Sequence, residues 1–225
     1  MLTPLPPPPP PRARVESGGG AWCPRDLVHT KGLEYLEIDL SGLHTLTKVE
    51  VQGRFGNGQG LEFAPHYKLQ YWRPGLDNWA TYKHAKGDKL FEGNSNTYLA
   101  TASQLSPAVV ASRVRFVPYS DHPRTVCMRV EVFGCPYSDG LLAYSMPDGD
   151  VLQQGDDAFR DVTYDGSRRS HVLSGGLGQL TDGEAGHTNF RVDALGRDRG
   201  ELEYWRRRDY LQCVFFPRDL FIIGK

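Results

Sequence analysis

The segment Glu34-Tyr35-Leu36-Glu37-Ile38-Asp39-Leu40 alternates strictly, setting Leu36, Ile38 and Leu40 on one face and the charges on the other. The same two-residue period returns at Val49/Val51, at Tyr67/Leu69/Tyr71, at Val114/Phe116 and at Met128/Val130/Val132, with clusters of Gly, Pro, Asn and Asp between the runs. No stretch keeps a helical period convincingly, so the pattern predicts an all-β, antiparallel sandwich. Arg113 and Arg115 fall on one run and Arg129 and Glu131 on another, which predicts cross-strand charge pairs if the two runs are neighbours. After Cys135, the run Gly140–Tyr144 opens a second unit richer in Asp and Gly, and Arg191–Arg208 is densely charged without clear patterning.

Composition narrows the classes of function. A chain of 225 residues with 39% hydrophobic content can pack at least one core, and 26 basic against 27 acidic side chains leave no net field for nucleic acid or an anionic membrane. The four cysteines, Cys23, Cys127, Cys135 and Cys213, lack the C-x-x-C spacing of a structural zinc site. A bridge between distant cysteines would belong in an oxidising compartment and, closing a loop of roughly a hundred residues, would stabilise by ~4 kcal/mol; buried free thiols are the alternative. The seven histidines are scattered and no H-E-x-x-H, G-x-S-x-G or phosphate-loop spacing occurs, so no catalytic role is expected. Residues 1–20, with the Pro7–Pro11 and Gly18–Gly20 runs, hold no apolar signal-peptide core, and no stretch reaches the ~18 apolar residues of a spanning helix. The chain as given is therefore expected either to be incomplete or to carry foreign ends.

Several runs give the chain a family likeness. Gly20-Ala21-Trp22-Cys23-Pro24, Gln52-Gly53-Arg54, the stretch Gly60–Tyr71, Glu92-Gly93-Asn94-Ser95-Asn96 and the stretch Val126–Cys135 resemble the extracellular region of the discoidin domain receptors, collagen-binding receptor tyrosine kinases. The stretches Asp139–Gly149, Thr163–Gly166 and Gly175–Gly183 are similar to the second, discoidin-like domain of those receptors. The resemblance implies a discoidin domain of the coagulation factor 5/8 type C kind, a galactose-binding-like β-sandwich or jelly-roll barrel, followed by a partial discoidin-like β domain. It divides the chain into a Pro/Gly-rich leader at 1–20, a discoidin domain at 21–135 lacking its first strand and loop, a partial second domain at 136–210 and an unrelated tail at 211–225. An abrupt stop within the second domain would leave unpaired strand edges and a poorly folded unit.

The resemblance also assigns residues. It implies a disulfide between Cys23 and Cys127, and leaves Cys135 without its family partner. It places Arg54 and Glu62 in a collagen-binding site, where a guanidinium and a carboxylate on neighbouring loop tips would meet polar groups of a triple helix. Gly19 and Thr125 stand where the family carries an acid and an asparagine, and the loop bearing a collagen-contacting Trp is replaced by the leader, so weakened binding is expected; loss of one aromatic anchor alone commonly costs about 2 kcal/mol or more. Gln179 and Asp182 match a loop with a structural calcium site, a hard cation suited to oxygen ligands. Receptors of this kind are plasma-membrane homodimers facing the outside of the cell, and their kinase activity belongs to a region with no counterpart in these residues. Two other readings fit the residues: a phospholipid- or glycan-binding adhesion module with Phe55 as an apolar loop tip, and a non-functional or decoy truncation.

Overall fold

The computed structural model describes residue 15 and residues 20–31, 34–54, 60–84, 90–138, 140–148, 161–181 and 221–224. Among the described residues ten strands follow in order: β1 (Leu36–Gln52), β2 (His66–Trp72), β3 (Ala80–Thr81), β4 (Phe91–Glu92), β5 (Thr101–Tyr119), β6 (Arg129–Pro136), β7 (Tyr144–Pro147), β8 (Ser167–Arg169), β9 (Val172–Gly176) and β10 (Phe221–Gly224). One 3-10 turn, Gln179–Thr181, is the sole helical element among the described residues. All pairings are antiparallel, as the alternating pattern predicts.

The spine of the first sheet is β1, which pairs with β5 along nearly its whole length. Its register with β5 shifts between Asp39 and His44, a break at which Ser41 takes a φ of 58° and its N–H donates to Asp39 Oδ1 at 2.8 Å. Beyond the break β1 changes its second neighbour: Leu36–Asp39 lie against β10, and His44–Gln52 lie against β6. A bend of this kind is what lets one long strand serve two edges of a closing sheet. On the far side β5 pairs with β2, which carries β3 and β4.

The predicted apolar faces converge on one core. Leu36, Ile38, Leu40, Val49, Val51, Tyr67, Leu69, Val114, Phe116, Met128, Val130 and Val132 are all buried in it. Each large side chain removed from water contributes about 1.5–3 kcal/mol. Tyr67 stacks on Phe91 with ring centroids 5.1 Å apart and planes 10° from parallel, and Tyr82 adds its ring to Phe91 at 5.3 Å.

Three expectations need correction. Arg113 and Arg115 do not pair with the charges of β6, because β1 lies between β5 and β6. Their partner is Glu37 of β1, which accepts from Arg115 Nε at 2.8 Å and Arg113 at 3.4 Å and is thereby buried on the face expected to be solvated. The same guanidinium groups stack on rings, Arg113 over Trp72 at 4.3 Å and Arg115 over Tyr35 at 4.0 Å and Trp79 at 3.8 Å. Cys135 is not an unpaired thiol: it sits on β6 opposite Thr45 of β1 and is disulfide-bonded, so the fold supplies the partner that the family motifs left missing. Finally, residues expected only as a tail supply β10, whose backbone pairs with Leu36–Asp39.

The second unit is a three-stranded sheet ordered β7-β9-β8 with Tyr164, Leu173 and Leu177 buried. It is tied to the first by an ion pair in which Arg73, 1% exposed, meets Asp165, whose side chain is 5% exposed. Arg73 donates through a second nitrogen to Asp165 Oδ1 at 2.8 Å, Tyr71 donates its hydroxyl to Oδ2 at 3.0 Å, and Lys83 reaches Val162 O at 3.3 Å. Burial, and then the neighbouring Asp165 charge, hold the Tyr71 phenol well above its ordinary pKa.

Candidate functional site

At one end of the first sheet the chain leaves β1 at Gln52, and four segments meet around that exit. A Cβ on Gly53 would come within 2.9 Å of Glu62 O and Phe63 Cβ and 3.0 Å of Thr97 Cα, so only glycine lets these backbones approach. Arg54 N–H donates to Glu62 O at 3.1 Å, which sets the two predicted site residues side by side on facing segments of the loop. Their side chains, by contrast, make no hydrogen bond or ion pair with one another or with any other described residue. Arg54 is exposed and Glu62 half-buried. A rigid backbone presenting an unengaged guanidinium and carboxylate has its donors and acceptors available for an external polar partner.

The neighbouring segments are fixed from below. Gln52 Nε2 donates to Tyr98 O at 2.9 Å and Arg129 Nε to Gly53 O at 3.0 Å. The buried amide of Asn94 faces Val51 O, Leu99 O and Thr101 Oγ1, each at 3.0 Å, tying the 94–99 loop to β1 and β5. Asn96 Oδ1 accepts from the backbone N–H groups of Tyr98 and Leu99, the local turn chemistry asparagine favours. Arg124 lies over the Phe63 ring at 4.2 Å and donates to Leu61 O at 2.8 Å. The disulfide Cys23–Cys127 spans 104 residues and, with the Trp22–Met128 bridge, ties the segment around Trp22 to the same end.

Sequence reasoning missed the apolar character of this end. Leu61 is 76% exposed, Leu99 59% and Tyr98 54%, all on the segments that frame Arg54 and Glu62. Leu61 lies within the Gly60–Tyr71 motif and Tyr98 and Leu99 just beyond Glu92–Asn96, but a lone Leu in a loop reads equally as a buried plug until the fold turns it outward. Phe55, the candidate lipid tip, lies outside the described residues, as does Asp182.

Gln179, the other predicted calcium ligand, is exposed and uses its backbone N–H to donate to Asp161 Oδ2 at 2.8 Å. That carboxylate also receives the Tyr144 hydroxyl at 2.9 Å and, on Oδ1, the N–H and hydroxyl of Thr163 at 3.0 and 2.8 Å. Its lone pairs are taken by protein donors, and no three His, Cys, Asp or Glu side chains converge on a metal-sized point among the described residues. Burial, then the hydrogen bond and charge of Asp161, push the Tyr144 phenol above its ordinary range.

The sandwich, its disulfide-closed end and the second small sheet define a class. The family model for the F5/8 type C domain matches residues 5–132, and that for the discoidin domain-containing receptor 1/2 DS-like domain matches residues 140–212. The chain belongs to the F5/8 type C, or discoidin, domain family, and within it to the discoidin domain receptors. It is 46% identical over 183 residues to the discoidin domain-containing receptor tyrosine kinase B of Caenorhabditis elegans, covering 81% of this chain and 23% of that protein. It is 40% identical over 202 residues to the epithelial discoidin domain-containing receptor 1 of Homo sapiens, covering 88% of this chain and 21% of that one. The chain thus spans less than a quarter of the length of these curated relatives. Recombinant discoidin II of Dictyostelium discoideum superposes with a TM-score of 0.43 at 19% identity, over 59% of this chain and 50% of that one. The family match makes these residues a non-catalytic discoidin module of a receptor.

Proposed function

We propose that this discoidin module is the extracellular, ligand-binding part of a collagen receptor and that the end built around Arg54 and Glu62 grips the triple helix. The observation that carries the reading is the pair of side chains without partners among the described residues, on a backbone held by Gly53, Asn94 and Arg129. Exposed Leu61, Tyr98 and Leu99 add apolar contact beside them, the arrangement of a binding hot spot with polar groups that fix register. The disulfide Cys23–Cys127 supports an oxidising, extracellular setting. Thr125, exposed beside Arg124, offers a shorter hydroxyl where the resembling family carries an amide, and we expect weakened rather than abolished binding.

Surface-captured triple-helical collagen, with heat-denatured collagen as control, tests this. Triple helix but not denatured chains should bind, and Arg54→Ala or Glu62→Gln should each reduce affinity tenfold or more, about 1.4 kcal/mol. Equal binding to both forms, or no effect of either substitution, would refute it. The exposed leucines favour a second reading, insertion into lipid; co-sedimentation with anionic liposomes that Leu61→Ser and Leu99→Ser abolish would establish that one instead.

A further inference from the structure

The junction of the two sheets holds a cleft that the collagen reading does not use. We infer that it is a second binding site, taking a neutral disaccharide unit. One wall is the turn after β2, where Leu76 N–H donates to Arg73 O at 3.2 Å and Trp72 Nε1 donates to Leu76 O at 3.1 Å. Gly75 there has a φ of 100° with nothing within 4 Å of a Cβ, so the rim is open. The other wall is the β8–β9 hairpin, whose turn residues Ser170 and His171 take φ of 49° and 61°. Asp165 forms the floor and is fixed by Arg73 and Tyr71. Both walls are thus pre-formed, and the space between them is about 370 Å³. That lies at the small end of the ~300–1,000 Å³ usual for ligand pockets.

Its chemistry selects the ligand. Asp77 and Asn78, both exposed, offer a carboxylate and an amide; Ser167 and Ser174 bring hydroxyls 3.0 Å apart; Arg169 brings an exposed guanidinium. The charges of Asp77 and Arg169 balance, and that of Asp165 is met by Arg73, so neither an anion nor a cation is favoured overall. Many donors and acceptors in a neutral site match a ligand rich in hydroxyl groups. Trp79 also lines the cleft, with Arg115 3.8 Å from its ring centroid holding the indole, and an aromatic beside hydroxyl-binding groups suits the C–H face of a sugar. Two sheets from separate domains contribute, so the site exists only while they are docked.

The test is titration of the isotope-labelled full chain with lactose and with maltose, followed by nuclear magnetic resonance. A saturable shift of the Trp79 indole N–H and of the Ser167, Arg169 and Ser174 amides, with a dissociation constant in the ~mM range, is expected. Asp77→Ala and Arg169→Ala should each weaken it at least tenfold while core resonances of β1 and β5 stay put, since both side chains are exposed. Lactosylated albumin tested beside free lactose separates a glycan end from a free sugar, and binding of either supports the site. No saturable shift with either sugar, or shifts that survive both substitutions or fall on the 94–99 loop, would overturn the proposal without touching the collagen reading.

Discussion

Replacing Asp165 by alanine should undock the second sheet. The substitution leaves the Arg73 guanidinium, 1% exposed, without its carboxylate. Breaking a buried pair from one side costs about 3–5 kcal/mol, because the remaining charge stays out of water. The Tyr71 hydroxyl and the Leu177 N–H, which also donate to Asp165, lose their acceptors, adding roughly 1 kcal/mol each. The total approaches the ~5–15 kcal/mol of a whole domain, so the three-stranded sheet should open independently of the first. Hydrogen exchange reads this directly: protection of the Leu173 and Leu177 amides should fall by about 10³ or more, while amides of β1 and β5 keep most of theirs. The double substitution Arg73→Met with Asp165→Leu removes both charges and should recover a large part of the loss, though not the share of Tyr71 and Leu177. If Asp165→Ala changes stability by less than about 1 kcal/mol, or if single and double variants behave alike, the uncompensated charge is not what holds the units together.

Asn94→Ala should cost about 2–3 kcal/mol and raise exchange at the amides of Tyr98 and Leu99, since the carbonyls of Val51 and Leu99 lose their buried donor; an unchanged loop would show that Asn94 does not position it. Cys23→Ser should destabilise by about 4–5 kcal/mol in urea unfolding, from the 104-residue separation of its disulfide, and a loss near zero would mean that the unfolded chain is already compact. Burial pushes the Tyr67 phenol up to about 12 from 10.0, its hydrogen bond to Ser103 opposing only weakly. The folded chain therefore keeps a proton that the unfolded chain releases near pH 10, so this stability is whole below pH 10 and is lost as pH rises toward about 12, amounting to about 3 kcal/mol. Unfolding followed against pH should show that decline, and Tyr67→Phe should flatten it.

Strand identity was legible because a two-residue period leaves one face apolar wherever it occurs: Leu36/Ile38/Leu40, Tyr67/Leu69/Tyr71 and Met128/Val130/Val132 all went inward as their spacing requires. Arg54 and Glu62 were singled out through motif and not through physics, and the structure adds that their backbones meet through the Arg54 N–H to Glu62 O bond. Which strand lies beside which was not. Period says which face is buried, yet it carries no information about neighbours, and so Glu37 became the partner of Arg113 and Arg115 only once β1 was seated between β5 and β6. Exposure of Leu61 and Leu99, the disulfide at Cys135 and the Arg73–Asp165 tie depend on segments brought together across dozens of residues. Local sequence determined the strands because side-chain alternation is a property of the backbone itself; the tertiary structure decided the partners, because burial and charge pairing exist only between segments that the fold has brought into contact.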